Sequence, residues 1–181
     1  ISTLEKLKSL NIFDKDKLHL LYDPIISPKD IVKKKNEKVE SEFKNKKIII
    51  CIGRLTKQKN FSFLINSFAD MVKKYPEYHL VILGEGEDRK KLELIIDNLE
   101  LSKSISLLGY VKNPYKYLKK AECFILSSLW EDPGFVLLEA SYLNTTIISS
   151  DCPNGPIEIL QNGLGGFLFK NNNKKDFMKV F

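Results

Sequence analysis

Six strand-length runs in this chain are apolar nearly throughout: IIICI at 48–52, LVIL at 80–83, ISLL at 105–108, CFILS at 123–127, TIIS at 146–149 and GFLF at 166–169. A strand with one wet face alternates apolar and polar residues. A run that does not alternate is expected where both faces are covered, as in a parallel sheet. The segments between the runs carry a helical period instead. Phe61, Leu64, Ile65, Phe68 and Val72 recur at three and four residues, with Asn60 placed to cap the helix and Pro76 to stop it. Leu92, Ile95, Ile96 and Leu99 repeat the pattern after Asp88, Asn113-Pro114 opens a short helix, and a further helix spans Phe135 to Leu143.

Strand and helix alternating over this length predict an α/β domain with a doubly wound, Rossmann-like parallel sheet. At 181 residues and 43% hydrophobic, the chain is long enough to bury one core. No apolar run reaches bilayer length, and the segment from Ile1 is not expected to be a secretory leader. The absence of an initiator Met and the stop at Phe181, inside a helix-like stretch, lead to the expectation of an excised fragment. Three cysteines, Cys51, Cys123 and Cys152, cannot all pair within the chain and show no zinc spacing, so thiols in a reducing cytoplasm are expected. His19, in a brief apolar strand at Leu18–Tyr22, and His79 are read as structural. The net charge of +6 comes largely from Lys29 to Lys47. Anionic lipid and nucleic acid are both conceivable partners for such a run, but no aromatics interleave, and a solvated linker is the expectation.

In a parallel sheet the loops that follow the strands open on one edge, where ligands bind. The unusual polar residues collect there: Gly53 to Asn60, Gly84 to Glu87, Gly109 to Val111, Ser127 to Gly134, and Asp151 to Pro156. Arg54 and Lys59 bring two cations to one rim ahead of a helix start, which suits a diphosphate, whereas Lys57 reads as solvated surface. Gly134, entering the helix that starts at Phe135, permits close backbone approach and outward amides. Glu131 and Glu139 bracket that turn. As carboxylates they suit sugar hydroxyls, though on the residues alone a loop residue and a helix-surface residue are the plainer readings of the pair. Two phosphate-binding motifs are missing. No phosphate-binding GxxxxGK[ST] loop is present, and the Gly84-Glu85-Gly86 turn lacks the third glycine of a dinucleotide fingerprint and carries acids where a pyrophosphate would lie.

The order GRLTKQKN, LVILGEGEDRKKLE, ISLLGYV, SSLWEDPGFVLLEA and SDCPNGPIEIL, from about Ile48 to Phe169, resembles the C-terminal domain of glycosyltransferase family four, retaining enzymes of GT-B architecture. The resemblance implies the C-terminal half of such an enzyme. Residues 1–46 would be the end of an N-terminal domain, a hinge strand and the Lys-rich linker, and 47–181 the nucleotide-sugar-binding domain, truncated at its end. It implies that Arg54 and Lys59 hold the donor diphosphate, that Gly53 and Gly84 belong to the donor site, and that the backbone around Gly109 to Val111, Tyr110 included, reads the base. Glu131 would contact the transferred sugar, Gly134, Phe135 and Val136 would offer amides, and Glu139 would bind the ribose. Glu131, Arg54 and Lys59 would then carry catalysis, with no metal and no cofactor beyond a UDP-sugar substrate. Asp132 and Pro133 depart from the Gly and Phe usual after the first Glu, and Asn144 replaces a helix-ending Gly, which Asn can do by tolerating left-handed backbone.

The expected function is binding of a UDP-sugar by a retaining enzyme that moves a hexose or N-acetylhexosamine to a glycan or lipid-linked acceptor in surface polysaccharide biosynthesis. The acceptor would be bound through the N-terminal domain, and the isolated fragment would be inactive. The expected location is cytoplasmic, with peripheral contact at the inner membrane face left open and no nucleic-acid partner. Alternatives are a GT-B epimerase or phosphorylase, or a non-catalytic nucleotide-sugar-binding domain.

Overall fold

The computed structural model of the chain describes residues 3–19, 26–40, 43 and 45–181. Its centre is a six-stranded sheet of β1 (Lys47–Ile52), β2 (Tyr78–Leu83), β3 (Ile105–Gly109), β4 (Cys123–Leu126), β5 (Thr146–Ser150) and β6 (Phe167–Phe169), in the order β3-β2-β1-β4-β5-β6. Every pairing is parallel. The helices are α1 (Thr3–Ser9), α2 (Pro28–Lys34), α3 (Phe61–Lys74), α4 (Arg89–Asn98), α5 (Tyr115–Lys120), α6 (Val136–Tyr142), α7 (Pro156–Ile159) and α8 (Lys174–Val180).

The non-alternating runs are explained by two cores, one on each face of the sheet. Ile49, Cys51, Leu80, Ile82 and Ile125 point to the side covered by Phe61, Leu64, Ile65 and Phe68 of α3, Leu92 and Ile96 of α4, and Phe177 of α8. Their neighbours Ile48, Ile50, Val81, Leu83, Phe124 and Leu126 meet Ile31 of α2, Tyr117 and Leu118 of α5, and Leu137 and Ala140 of α6. Fully burying one such side chain contributes about 1.5–3 kcal/mol, so both faces of each central strand must stay apolar. The strand order reverses between β1 and β4, the switch point at which a doubly wound sheet offers its ligand crevice.

Several local expectations are corrected. Asn60 precedes α3 but gives it no side-chain cap. It lies in the left-handed region (φ 53°), closing a short turn over Lys57–Lys59, and its Nδ2 donates to Asn172 Oδ1 at 3.2 Å. The Lys-rich stretch is more than a linker, because Ile31 and Phe43 within it are fully buried while Lys29, Lys33 and Lys38 stay exposed. His19 is exposed rather than structural; of the brief strand expected at Leu18–Tyr22, Leu18 and His19 are not strand, and the rest lies outside the described residues. Asn144 does adopt left-handed backbone (φ 55°) after α6. All three cysteines are buried and free, and burial pushes the Cys123 thiol up to about 12. Among the described residues no helix is long and apolar enough to cross a membrane.

His79 is structural. It is buried, its Nε2 lies 2.9 Å from Ser106 Oγ, and Lys46 Nζ donates to Nδ1 at 3.1 Å. Burial, and secondarily the Lys46 ammonium, push its pKa down to about 4. Below about pH 6.5 the unfolded chain takes up a proton that the fold refuses, so stability falls as pH drops from there toward about 4. The loss by pH 5 is expected to be about 1–2 kcal/mol. Chemical denaturation of the parent and of His79→Gln at pH 7 and pH 5 checks this, the variant showing the smaller fall.

Candidate functional site

The loops after β1, β2 and β3 are laced by backbone. Gly53 N donates to Leu83 O at 3.0 Å, Leu55 N to Glu85 O at 2.8 Å and Gly84 N to Gly109 O at 2.8 Å. Together they wall a cleft of about 440 Å³ lined by Ile52, Gly53, Arg54, Leu83, Gly84, Glu85, Tyr110, Val111, Lys112 and Pro114. Of the residues singled out in the sequence, Gly53, Arg54, Gly84, Tyr110 and Val111 therefore share one cavity. The Arg54 side chain is exposed there and has no hydrogen-bond or ion-pair partner among the described residues. A guanidinium that the fold leaves unpaired beside a cleft is available to an anionic ligand.

Across the switch point lies a second group. Lys59 Nζ contacts Glu131 Oε1 at 2.6 Å, with side chains only 14% and 4% exposed. The same carboxylate oxygen accepts the hydroxyl of fully buried Ser128. The two loops are stitched by Ser127 Oγ donating to Lys59 O at 2.8 Å, Leu129 N to Gln58 O at 2.8 Å, and Gln58 Nε2 to Trp130 O at 2.9 Å. The fifth loop joins through Glu131 N donating to Pro153 O at 3.1 Å and Ser150 Oγ to Ser128 O at 2.7 Å. Gly53 links this group to the cleft, since a Cβ placed on it would stand 2.9 Å from Lys59 Cε. The lysine stem runs directly along the glycine.

Gly134 (φ 84°) ends the fourth loop, and a Cβ there would press Glu131 Cγ at 3.2 Å. The amides of Gly134, Phe135 and Val136 donate to no protein acceptor among the described residues, because the first α6 bonds are Leu137 N to Gly134 O and Leu138 N to Phe135 O. Three consecutive open amides form an anion-accepting turn. Glu139, one turn into α6, accepts the Tyr115 hydroxyl on Oε1 at 3.0 Å, and burial raises its carboxyl above the usual range. It lies apart from the cleft lining but is tied to the helix that follows Pro114.

A second cavity, of about 610 Å³, is lined by the fifth loop and α7 from Cys152 to Asn162 and holds none of the expected site residues. Sequence reasoning passed over Ser128, Tyr115, Lys112 and Glu85. Ser128 and Glu85 lie in loops already marked as ligand-facing, and Lys112 and Tyr115 flank the Asn113-Pro114 helix start. A hydroxyl behind each acid was the available signal: Ser128 stands three residues before Glu131, but Tyr115 lies 24 residues before Glu139.

The sequence model of the family described as Glycosyl transferases group 1 matches residues 32–181. An uncharacterized glycosyltransferase of Methanocaldococcus jannaschii is 43% identical over 154 residues, 83% of this chain and 35% of its own length. The N-acetylgalactosamine-N,N'-diacetylbacillosaminyl-diphospho-undecaprenol 4-alpha-N-acetylgalactosaminyltransferase of Campylobacter jejuni is 33% identical over 133 residues, 74% of this chain and 36% of its own. The crystal structure of a TarM variant of Staphylococcus aureus in complex with Fondaparinux, alpha-GlcNAc-glycerol and UDP shares the fold with a TM-score of 0.77 at 23% identity, covering 99% of this chain and 35% of that one. The chain thus spans about a third of the length of these proteins. With the family model covering most of the sequence and a parallel Rossmann-like sheet of GT-B type beneath it, the chain belongs to the group 1 glycosyl transferases.

Proposed function

We propose that this chain binds the donor of a retaining glycosyltransferase, holding a UDP-sugar from which a hexose or N-acetylhexosamine passes to a glycan or lipid-linked acceptor. One observation carries the reading. An unpaired Arg54, the Lys59–Glu131 pair and the open amides of Gly134 to Val136 occupy loops that meet at the strand-order reversal. A pyrophosphate bridging the crevice would meet the guanidinium and ammonium on one side and the amides on the other.

In this reading the sugar carbon–oxygen bond breaks toward the diphosphate. Arg54, Lys59 and the amides take up the charge growing on the leaving oxygen, which is worth most in a site that water leaves. Glu131, already ordered by Lys59 and Ser128, receives a sugar hydroxyl, and the cleft of Gly84, Tyr110 and Val111 holds the base. With these cations present no metal is needed. Retention accords with the alpha linkage made by the Campylobacter relative when the donor is itself alpha-linked. UDP is the nucleotide held by the TarM variant of the same fold. That likeness is one of fold, so titration decides the nucleotide. The acceptor falls to the part of the protein beyond this chain.

Calorimetric titration with UDP and with a panel of UDP-sugars is expected to show one site, with affinity unchanged by EDTA. Absence of binding by folded protein, or loss of it on chelation, overturns the corresponding part of the reading. Proton NMR of the product made by the intact enzyme reports the anomer and separates transfer with retention from an epimerase or phosphorylase.

A further inference from the structure

Glu139 is held by a residue that no sequence motif marks. Its Oε1 accepts the Tyr115 hydroxyl at 3.0 Å, while Oε2 has no hydrogen-bond partner among the described residues and is not a buried atom. Tyr115 is the first residue of α5, directly after the cleft-lining Pro114. Its own backbone is fixed in turn. Buried Asn113 accepts Tyr115 N on Oδ1 at 3.2 Å and donates through Nδ2 to Lys34 O at 3.0 Å, pinning the loop to the end of α2. Burial, and then the adjacent Glu139 carboxylate, push the Tyr115 phenol up to about 12, so it keeps its proton and remains a donor.

A glutamate on a helix surface samples several rotamers, and freezing them on ligand binding costs free energy. A phenol that already fixes one carboxylate oxygen removes much of that cost and aims the other. The anchor comes from the base-side loop, so the wall of the cleft and the acid on α6 form one unit. We propose that Tyr115 is a positioning residue for Glu139, orienting its open oxygen toward the ribose hydroxyls and thereby making the donor site select ribonucleotides over nucleotides lacking those hydroxyls. This rests on the reading that a nucleoside diphosphate occupies the crevice with its ribose at Glu139.

The test is calorimetry of the intact chain with UDP and with 2′,3′-dideoxyuridine diphosphate, in the parent, Tyr115→Phe, Glu139→Ala and the double variant. Tyr115→Phe keeps the ring and its packing. It is expected to weaken UDP about fivefold, the worth of one ordinary hydrogen bond, and to leave the dideoxy nucleotide unchanged. Glu139→Ala is expected to weaken UDP more, by about tenfold or above, and the double variant to add nothing to it. Equal losses for both nucleotides in Tyr115→Phe would mean a structural role and overturn the proposal. So would no loss in Tyr115→Phe beside a clear loss in Glu139→Ala, an outcome that leaves the donor-site reading standing. UDP affinity unmoved by Glu139→Ala would remove the ribose assignment itself.

Discussion

Glu131→Ala and Lys59→Met are each expected to lower stability by about 2–3 kcal/mol, and Lys59→Met also to weaken UDP binding about 10- to 100-fold, whereas the double replacement Lys59→Met/Glu131→Leu regains the stability and not the binding. The reason lies in the burial of the pair. Breaking one partner of a buried ion pair leaves an uncompensated charge and costs about 3–5 kcal/mol when both are sealed. The two partners keep 14% and 4% of their side-chain exposure, so the pair is not fully sealed and the cost falls below that range. In Glu131→Ala the buried Ser128 hydroxyl also loses its acceptor. Two apolar side chains of similar volume leave no charge behind, and buried pairs replaced this way are often neutral or stabilising. Binding follows a different rule, because a diphosphate needs the ammonium whether or not the fold does. Urea denaturation measures the first quantity and calorimetry the second. A double variant that binds UDP as tightly as the parent would make the pair purely structural.

Much of this was legible from pattern alone. Six non-alternating runs required two covered faces, and the sheet has them, with α3, α4 and α8 on one side and α2, α5 and α6 on the other. The loops carrying Arg54, Lys59, Gly84, Val111 and Glu131 followed from strand direction, since a parallel sheet sends every strand end to one edge. Three things escaped. Asn60 sits where a cap belongs, but its left-handed backbone and its bond to Asn172 depend on a loop over a hundred residues away. The Lys-rich stretch looked solvated because its charges outnumber its apolar residues, yet Ile31 and Phe43 are buried in the core and Val39 packs against it. The hydroxyls behind the two acids were invisible for the same reason as the cap. Ser128 is within the same loop as Glu131, but Tyr115 reaches Glu139 only because α5 and α6 are neighbours, and adjacency of helices is a property of topology rather than of local composition.

Gly84→Ala is expected to cost about 3 kcal/mol or more and, beyond that, to weaken UDP binding in the protein that remains folded. Two separate effects act at this position. Its φ of 141° is a conformation that side chains rarely adopt, and a Cβ there would collide with the carbonyl oxygen of Gly53, a backbone atom that no rotamer change can move. Gly163 separates the two. Its φ is 99°, also unfavourable, but a Cβ on it meets nothing within 4 Å. Gly163→Ala therefore carries conformational strain alone and is expected to cost about 1–2 kcal/mol, the remainder at Gly84 being collision. The collision is also what carries the effect to ligand. Gly53 can yield only by shifting, its amide is bonded to Leu83 O, and the Lys59 stem lies against its other side. Pushing Gly53 thus disturbs the β2 end, the cleft wall and the ammonium together. Denaturation midpoints of both variants, with UDP titrations on the folded fraction, read the two effects separately. Equal costs at Gly84 and Gly163 would show that the close approach of the first two loops is relaxed without penalty.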